Sequence, residues 1–116
     1  MPGYKALQGS TEAYRWANIE PGEEVEVEFD LPRGCRQLDI KVKVKADHIT
    51  VIIMGLTVVD DDLLNRCDPE ESRWEVRGTR LVVVLQKANR SKTPWPVVFL
   101  KDCKTDFDFE DMQHFF

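Results

Sequence analysis

The alternation of apolar and polar side chains predicts β-strands along most of the chain. Residues 25–31 carry apolar side chains at every second position and acidic residues between them. Residues 40–45 alternate in the same way, with Lys41, Lys43 and Lys45 on the polar side. Alternate residues of a strand point to opposite faces of a sheet. If these two strands pair, each cross-strand Glu–Lys contact would contribute about 0.2–1 kcal/mol.

A hairpin in the segment 71–95 is predicted to organise the domain. Trp74 and Val76 alternate with charged residues, Gly78 supplies a turn, and residues 81–85 are entirely apolar. A strand that is apolar on both faces needs cover on both sides. We therefore expect this hairpin at the centre of a layered domain rather than at its edge, and a second central strand over residues 48–54.

The series of short strands predicts an all-β fold. About seven strands separated by turn residues, without a convincing amphipathic helix, are typical of a compact antiparallel β-sandwich. A small barrel is the alternative. Residues 56–69 lose the pattern, so we expect a ragged edge strand and a long loop there. The core is predicted to contain the inward-facing side chains Val25, Val27, Phe29, Val42, Val44, Val51, Ile53, Trp74, Val76, Val83 and Leu85.

The two ends of the chain differ from this pattern. Residues 1–13 carry Pro, Gly and small polar side chains without strand or helix periodicity, which predicts a mobile N-terminal arm. The β-sandwich domain is expected to span residues 14–101. Residues 102–116 form an acidic-aromatic C-terminal tail, and we expect this tail to be mobile in the free domain because its carboxylates repel one another.

Composition narrows the class of partner. The 116 residues suit one domain, and the net charge of -5 argues against nucleic acid, since phosphate binding needs cations. No apolar stretch is long enough to span a membrane. The N-terminus has no apolar signal core, and the cysteines lack a CxxC spacing, which indicates a reduced protein of the cytoplasm and also of the nucleus. The cysteines are Cys35, Cys67 and Cys103.

Candidate chemistry in the sequence is sparse. The acidic triplet 60–62 could bind a hard cation, but no calcium-loop motif surrounds it, and an acidic loop that protects a sheet edge is the favoured interpretation. His48 is interpreted as a structural or surface residue. The lysine row of residues 41–45 is either a basic patch for an acidic partner or, as we favour, a solvated strand face. No phosphate-binding or nucleophile motif occurs, so we predict no enzymatic activity, cofactor or metal.

Several segments together resemble the CS domain family, most closely its NudC (nuclear movement protein) branch. The E-E-S-x-W and L-x-K-x-N-R elements are the more specific ones, and the resemblance covers about residues 14–100. The segments are Tyr14-Arg15-Trp16, residues 39–45, residues 48–55, Glu70-Glu71-Ser72-Arg73-Trp74, and Leu85-Gln86-Lys87-Ala88-Asn89-Arg90 with Trp95 downstream.

The resemblance implies a β-sandwich that acts as a non-enzymatic co-chaperone. Its implied partners are an Hsp-ninety-type chaperone, client proteins, and the Lis1 and dynein components of nuclear migration. It also places Trp16 and Trp74 among the structural aromatics of the family. A donor cluster beside an aromatic side chain suits a protein interface. The predicted partner-binding residues are Lys87, Asn89, Arg90, Trp95 and Trp16.

Two departures from the family pattern leave alternatives open. There is no N-terminal coiled coil, so we expect a monomer, and Trp95 stands alone between prolines where relatives often carry a tryptophan pair. Trp95 either plugs the end of the sandwich or anchors a partner. The acidic residues 106–111 resemble those of small Hsp-ninety co-chaperones with acidic tails and no role in nuclear migration. A plain protein-interaction domain without chaperone activity is the other alternative.

Overall fold

The computed structural model describes residues 8–11 and 13–103, so the predicted mobility of the tail at 104–116 lies outside the described residues. Eight strands and three short 3-10 turns are found within these ranges. The strands are β1 Gln8–Ser10, β2 Arg15–Ile19, β3 Glu24–Asp30, β4 Ile40–Lys45, β5 His48–Ile53, β6 Leu56–Asp62, β7 Cys67–Arg77 and β8 Arg80–Lys87. The 3-10 turns are Gln37–Asp39, Ala88–Arg90 and Leu100–Asp102.

Two antiparallel sheets pack face to face. The five-stranded sheet has the order β1-β2-β3-β8-β7, and the three-stranded sheet has the order β4-β5-β6. Because the sheets remain separate, the predicted β-sandwich is confirmed and the barrel alternative is wrong. The core lies between the sheets and contains most of the predicted side chains. Those that are buried are Val25, Val27, Phe29, Val51, Ile53, Val83 and Leu85.

The central position of β8 explains its unbroken apolar run. Leu81, Val83 and Leu85 face the core between the sheets. Val82 and Val84 face outward, yet they are also buried. Ion pairs between β3 and β7 cross over β8, so the aliphatic parts of long charged side chains cover these two valines. The predicted cover on both faces of this strand is therefore present.

The first strand of the hairpin does not lie at the centre as predicted. Among the described strands, β7 lies at the edge of its sheet and pairs with β8 alone. Val76 is 38% exposed and does not belong to the core, and Trp74 is only half-buried. Val42 and Val44, on the edge strand β4, are likewise half-buried at the margin of the core. An edge strand has a neighbouring strand on one side only, so its side chains are less completely covered. The alternating pattern therefore predicted more burial for these side chains than the structure shows.

The predicted pairing of glutamate and lysine rows is wrong. β3 pairs with β2 and β8, whereas β4 pairs with β5 in the other sheet. The glutamates of β3 meet arginines of their own sheet instead. The ion pairs are Arg73–Glu24 at 3.0 Å, Arg77–Glu26 at 3.2 Å and Arg80–Glu28 at 3.7 Å.

The small sheet confirms the central strand predicted over residues 48–54, and β6 is its irregular edge. The register of β6 shifts opposite Val51 and Ile52, as expected of a ragged strand. The acidic triplet lies within β6 rather than in a loop. Asp60 and Asp62 each place a carboxylate oxygen 2.7 Å from a ring nitrogen of His48.

Residues near both predicted domain boundaries join the sandwich. Gln8–Ser10, within the predicted arm, pairs with β2 as strand β1. A side chain on Gly9 would collide with the indole of Trp16, so glycine permits this close approach. At the other end, the Tyr14 hydroxyl donates a hydrogen bond to Asp102, one residue beyond the predicted end of the domain. These contacts, rather than the local sequence pattern, order the two segments.

Candidate functional site

The predicted partner-binding residues begin where β8 ends. The backbone N–H of Lys87 donates to the carbonyl of Glu23 at 2.8 Å, and that of Ala88 donates to the carbonyl of Arg66 at 3.1 Å. The chain then turns through Asn89 and Arg90, which have left-handed φ values of 58° and 53°. Asparagine tolerates this conformation, but a long side chain seldom adopts it. The turn therefore presents Asn89 and Arg90 to solvent in an uncommon backbone geometry.

Two acidic side chains hold the guanidinium of Arg90. It lies 3.2 Å from Glu71 on β7 and 3.6 Å from Glu23, which precedes β3. Because Arg90 and Glu71 are exposed and Glu23 is partly exposed, solvent screens both pairs and they add little to stability. Their effect is to orient the guanidinium over the end of the large sheet. The remaining N–H donors of Arg90 are open to an acceptor on another molecule.

Lys87 differs from Arg90 because its side chain is buried. The residue is only 1% exposed, and its Nζ donates to the carbonyl of Thr93 at 2.8 Å. Burial lowers the pKa of this ammonium because desolvation disfavours the charge. Lys87 therefore ties the strand end to the segment 91–96.

Trp95 closes the end of the sandwich. Its side chain is 3% exposed and belongs to the core cluster. The Asn18 side chain fixes its backbone, since Asn18 Nδ2 donates to the Trp95 carbonyl and the Trp95 N–H donates to Asn18 Oδ1, both at 3.0 Å. Of the two roles considered for Trp95, the plug is the one that this geometry supports.

A cleft opens beside these residues. It has a volume of about 470 Å³ and lies between the loop 64–66 and the segment 91–96. Leu64, Pro94, Trp95 and Pro96 give it apolar walls, and Arg66 adds a cation. An apolar cleft with a few polar groups at its margin is the usual form of a peptide- or ligand-binding site.

The E-E-S-x-W element has a structural explanation. Ser72 Oγ donates to the carbonyl of Asp68 at 2.8 Å and accepts from the N–H of Gln86 at 3.0 Å. These bonds occur where the pairing of β7 with β8 shifts register, so the serine satisfies backbone groups that the irregular ladder leaves over. Glu71, next to it, is thereby placed within reach of Arg90. The sequence singled out this element but did not reveal that it positions the predicted site.

The five predicted site residues thus divide into two groups. Asn89 and Arg90 are exposed, whereas Lys87, Trp95 and Trp16 are buried. Trp16 lies in register with Val27 and Gly9 on the core side of β2. Their role in partner binding stays a prediction. In the free domain Asn89 and Arg90 expose their side chains to a partner, whereas Lys87 and Trp95 contribute only to the lining of the cleft.

Asn18, Glu23 and Glu71 support the site, although none of them was predicted as a partner-binding residue. Asn18 and its partner Trp95 are 77 positions apart, so no local pattern connects them. Among the residues that the structure describes, no group of three His, Cys, Asp or Glu side chains could hold a metal ion. Over the same residues, no helix has the length and apolar character needed to cross a membrane.

Two solved structures are similar to this fold. A nuclear movement protein from E. cuniculi GB-M1 matches with a TM-score of 0.62 and 22% identity, over 75% of this chain and 98% of its own. The CS domain of human KIAA1068 protein matches with a TM-score of 0.68 and 18% identity, over 80% of this chain and 77% of its own. A comparison with curated proteins found no match.

The sequence itself also matches a family. The CS domain model matches residues 12–87, which is the stretch from just before β2 to the last residue of β8. This match agrees with the two-sheet topology and with the resemblance drawn from the motifs. The chain belongs to the CS domain family, a protein-interaction and co-chaperone fold.

Proposed function

We propose that this protein is a non-enzymatic co-chaperone of NudC type. It binds an Hsp-ninety-type chaperone and client proteins in the cytoplasm and nucleus, and it serves the Lis1- and dynein-linked nuclear migration pathway. The observation that carries the proposal is membership in the CS domain family. The nuclear movement protein among the structural neighbours supports the choice of branch.

The end of β8 is the proposed contact surface. Arg90 is oriented by two carboxylates and keeps free donors, and Asn89 offers an amide beside it. The apolar cleft walled by Pro94, Trp95 and Pro96 lies next to them. An arginine beside an apolar cleft suits a partner segment that carries a carboxylate next to an apolar side chain. Lys87 and Trp95 hold the shape of this surface from within.

A heat-aggregation assay tests the co-chaperone function. The full chain is mixed with an unrelated, heat-labile client protein in the absence of ATP, and light scattering is followed at a temperature below the melting point of the chain. We expect suppression of scattering that grows with the amount of the chain. Serum albumin at equal mass is the control for crowding. Scattering equal to that with albumin would leave a plain interaction domain as the better description.

The acidic residues 106–111 favour a second candidate, a co-chaperone that binds the chaperone but not the nuclear-migration machinery. The two candidates differ in one measurable interaction. Immobilised chain is exposed separately to purified Hsp-ninety chaperone and to purified Lis1 and dynein components. Binding to both supports the NudC-type role, whereas binding to the chaperone alone supports the second candidate.

A further inference from the structure

A second surface of the domain combines unpaired cations with exposed apolar side chains. It lies on the outer face of the three-stranded sheet, remote in sequence from the end of β8. We call it the β4 corner, and it contains Leu38, Lys41, Lys43, Ile52 and Met54. Leu38 is 72% exposed and Met54 is 52% exposed. Nothing in the proposed contact at Arg90 uses these residues.

The lysines of β4 contrast with the arginines of the large sheet. Arg73, Arg77 and Arg80 each form an ion pair with a glutamate of β3. Lys41 and Lys43 are exposed and have no ion pair among the described residues. They lie two residues apart on the exposed face of β4, in a chain with a net charge of -5. They form a local positive potential that a partner with carboxylates would neutralise.

The acidic residues of the same sheet do not neutralise these lysines. Asp60 accepts from Thr50 at 3.0 Å and contacts His48, and Asp62 contacts the other nitrogen of His48. Lys43 lies in register with Thr50, and Lys41 lies in register with Ile52. The carboxylates of Asp60 and Asp62 are therefore engaged on β5, one strand away from the lysines, and the carboxylate of Asp61 pairs with Lys101 at 2.9 Å. At the Lys41 end of the sheet the residue in register is the apolar Ile52, and the nearby Asp39 carboxylate is paired with Arg36 at 3.3 Å.

A hollow with both apolar and charged walls adjoins Lys41. It is lined by Leu38, Asp39, Lys41, Ile52, Met54 and Gly55 and has a volume of about 380 Å³. Met54 adopts a left-handed φ of 51° in the turn before Gly55, which places a flexible apolar side chain at the rim. Methionine adapts its shape to varied partners. The hollow can therefore receive one apolar side chain beside the lysine row.

We propose that the β4 corner binds an extended acidic segment of another protein. Lys41 and Lys43 are two residues apart on a strand, so their side chains emerge about 7 Å apart. An extended partner chain with carboxylates at every second position has the same spacing. An apolar side chain at one end of that segment fills the hollow between Leu38 and Met54. The surface thus recognises carboxylates at every second position together with an apolar side chain at one end. A chain of acidic residues alone lacks that apolar side chain.

Fluorescence anisotropy with the full chain tests this inference. The probes are two labelled synthetic peptides in which glutamates alternate with threonines, with a leucine at the N-terminal end of one and at the C-terminal end of the other. We expect at least one peptide to bind, with an affinity that falls as salt rises. Lys43→Glu should weaken binding about tenfold, and Lys43→Gln about threefold. Met54→Ser should also weaken it while leaving the melting temperature unchanged.

Lys92→Glu is the matched control, because it makes the same change of charge at an exposed lysine outside the β4 corner. It should alter affinity less than about twofold. Equal losses in Lys92→Glu and Lys43→Glu would overturn the inference, since net charge alone would then explain binding. Failure of both peptides to bind the wild-type chain would also overturn it, as would concentration-dependent dimerisation that Met54→Ser abolishes. None of these results bears on Arg90, so the inference can fail while the proposed function stands.

Discussion

Asn18 and Trp95 exchange two hydrogen bonds through the Asn18 amide, although 77 positions separate them in the chain. The asparagine lies on β2, and the tryptophan lies between two prolines in a segment without regular structure. The Asn18 side chain supplies Trp95 with the two backbone hydrogen bonds that a neighbouring strand would otherwise make. It thereby fixes the wall of the cleft beside Arg90.

Asn18→Ala should destabilise the domain by about 2 kcal/mol, because it leaves the Trp95 N–H and carbonyl without their partners in a partly buried position. The free energy of unfolding from a urea titration measures this loss. Asn65→Ala, at an exposed asparagine of the neighbouring loop, is the control and should cost less than about 0.5 kcal/mol. Equal losses of unfolding free energy in the two variants would show that the hydrogen bonds between Asn18 and Trp95 do not stabilise the domain.

Gly9→Ala should release β1 from the large sheet. A Cβ at this position would lie 2.8 Å from Trp16 Nε1, and the buried indole has little room to move aside. Amide exchange at residues 8–10 should become faster, while exchange in β8 stays slow. Ser10→Ala is the control, and β1 should stay paired in it. Unchanged protection of β1 in Gly9→Ala would contradict the close approach seen here.

Trp16→Ala and Trp74→Ala should differ in cost. Trp16 is buried in the core, so its truncation should lower the free energy of unfolding by about 3–5 kcal/mol. Trp74 lies half-buried on the edge strand β7, and its truncation should cost less, about 1–3 kcal/mol. Denaturant titration of both variants checks the difference. Equal or reversed costs would mean that Trp74 is as well covered as Trp16.

His48 should make stability depend on pH. Both ring nitrogens lie 2.7 Å from carboxylates, and since a carboxylate only accepts, both must carry protons. Hydrogen bonds to Asp60 and Asp62 raise the pKa of His48 above its ordinary value of 6.5. A raised pKa in the folded state gives a contribution that is complete below pH 6.5 and is lost as pH rises through the folded pKa.

Urea titrations on both sides of that pH window measure the dependence. The wild-type chain should lose stability as pH rises, and His48→Gln should show a smaller slope over the same window. Titration of the His48 ring signals by NMR gives the folded pKa directly. A pKa of His48 at or below 6.5 in the folded protein would contradict the conclusion that the two carboxylates stabilise its protonated ring.

The local pattern predicted where the strands lie, but it did not predict which strands pair with one another. The alternation in β3, β4 and β5 is set by which face is buried, and burial leaves a period of two in the sequence. Which strands pair is a property of the whole chain. The Glu24–Arg73 contact joins residues 49 positions apart, and nothing near either residue indicates the other. This is why the glutamate row was matched with the wrong cations.

The candidate site was found by motif but not by geometry. The L-x-K-x-N-R element located the end of β8, yet it gave no sign that Lys87 is buried or that Asn89 and Arg90 are both left-handed. Burial of Lys87 depends on the Thr93 carbonyl, which the segment 91–96 brings back over the strand end. Long-range closure of this kind leaves no periodic signal in the sequence.

The end of β8 is the surface proposed to bind the chaperone. Calorimetric titration of purified Hsp-ninety chaperone with the wild-type chain and with Arg90→Glu tests it most directly. Arg33→Glu, at an exposed arginine in the turn between β3 and β4, is the charge-matched control, and unchanged melting curves confirm that all three proteins fold. We predict binding by the wild-type chain and by Arg33→Glu, and a loss of about tenfold for Arg90→Glu. Affinity of Arg90→Glu within about twofold of wild type, a difference of only ~0.4 kcal/mol, would contradict the assignment of this surface.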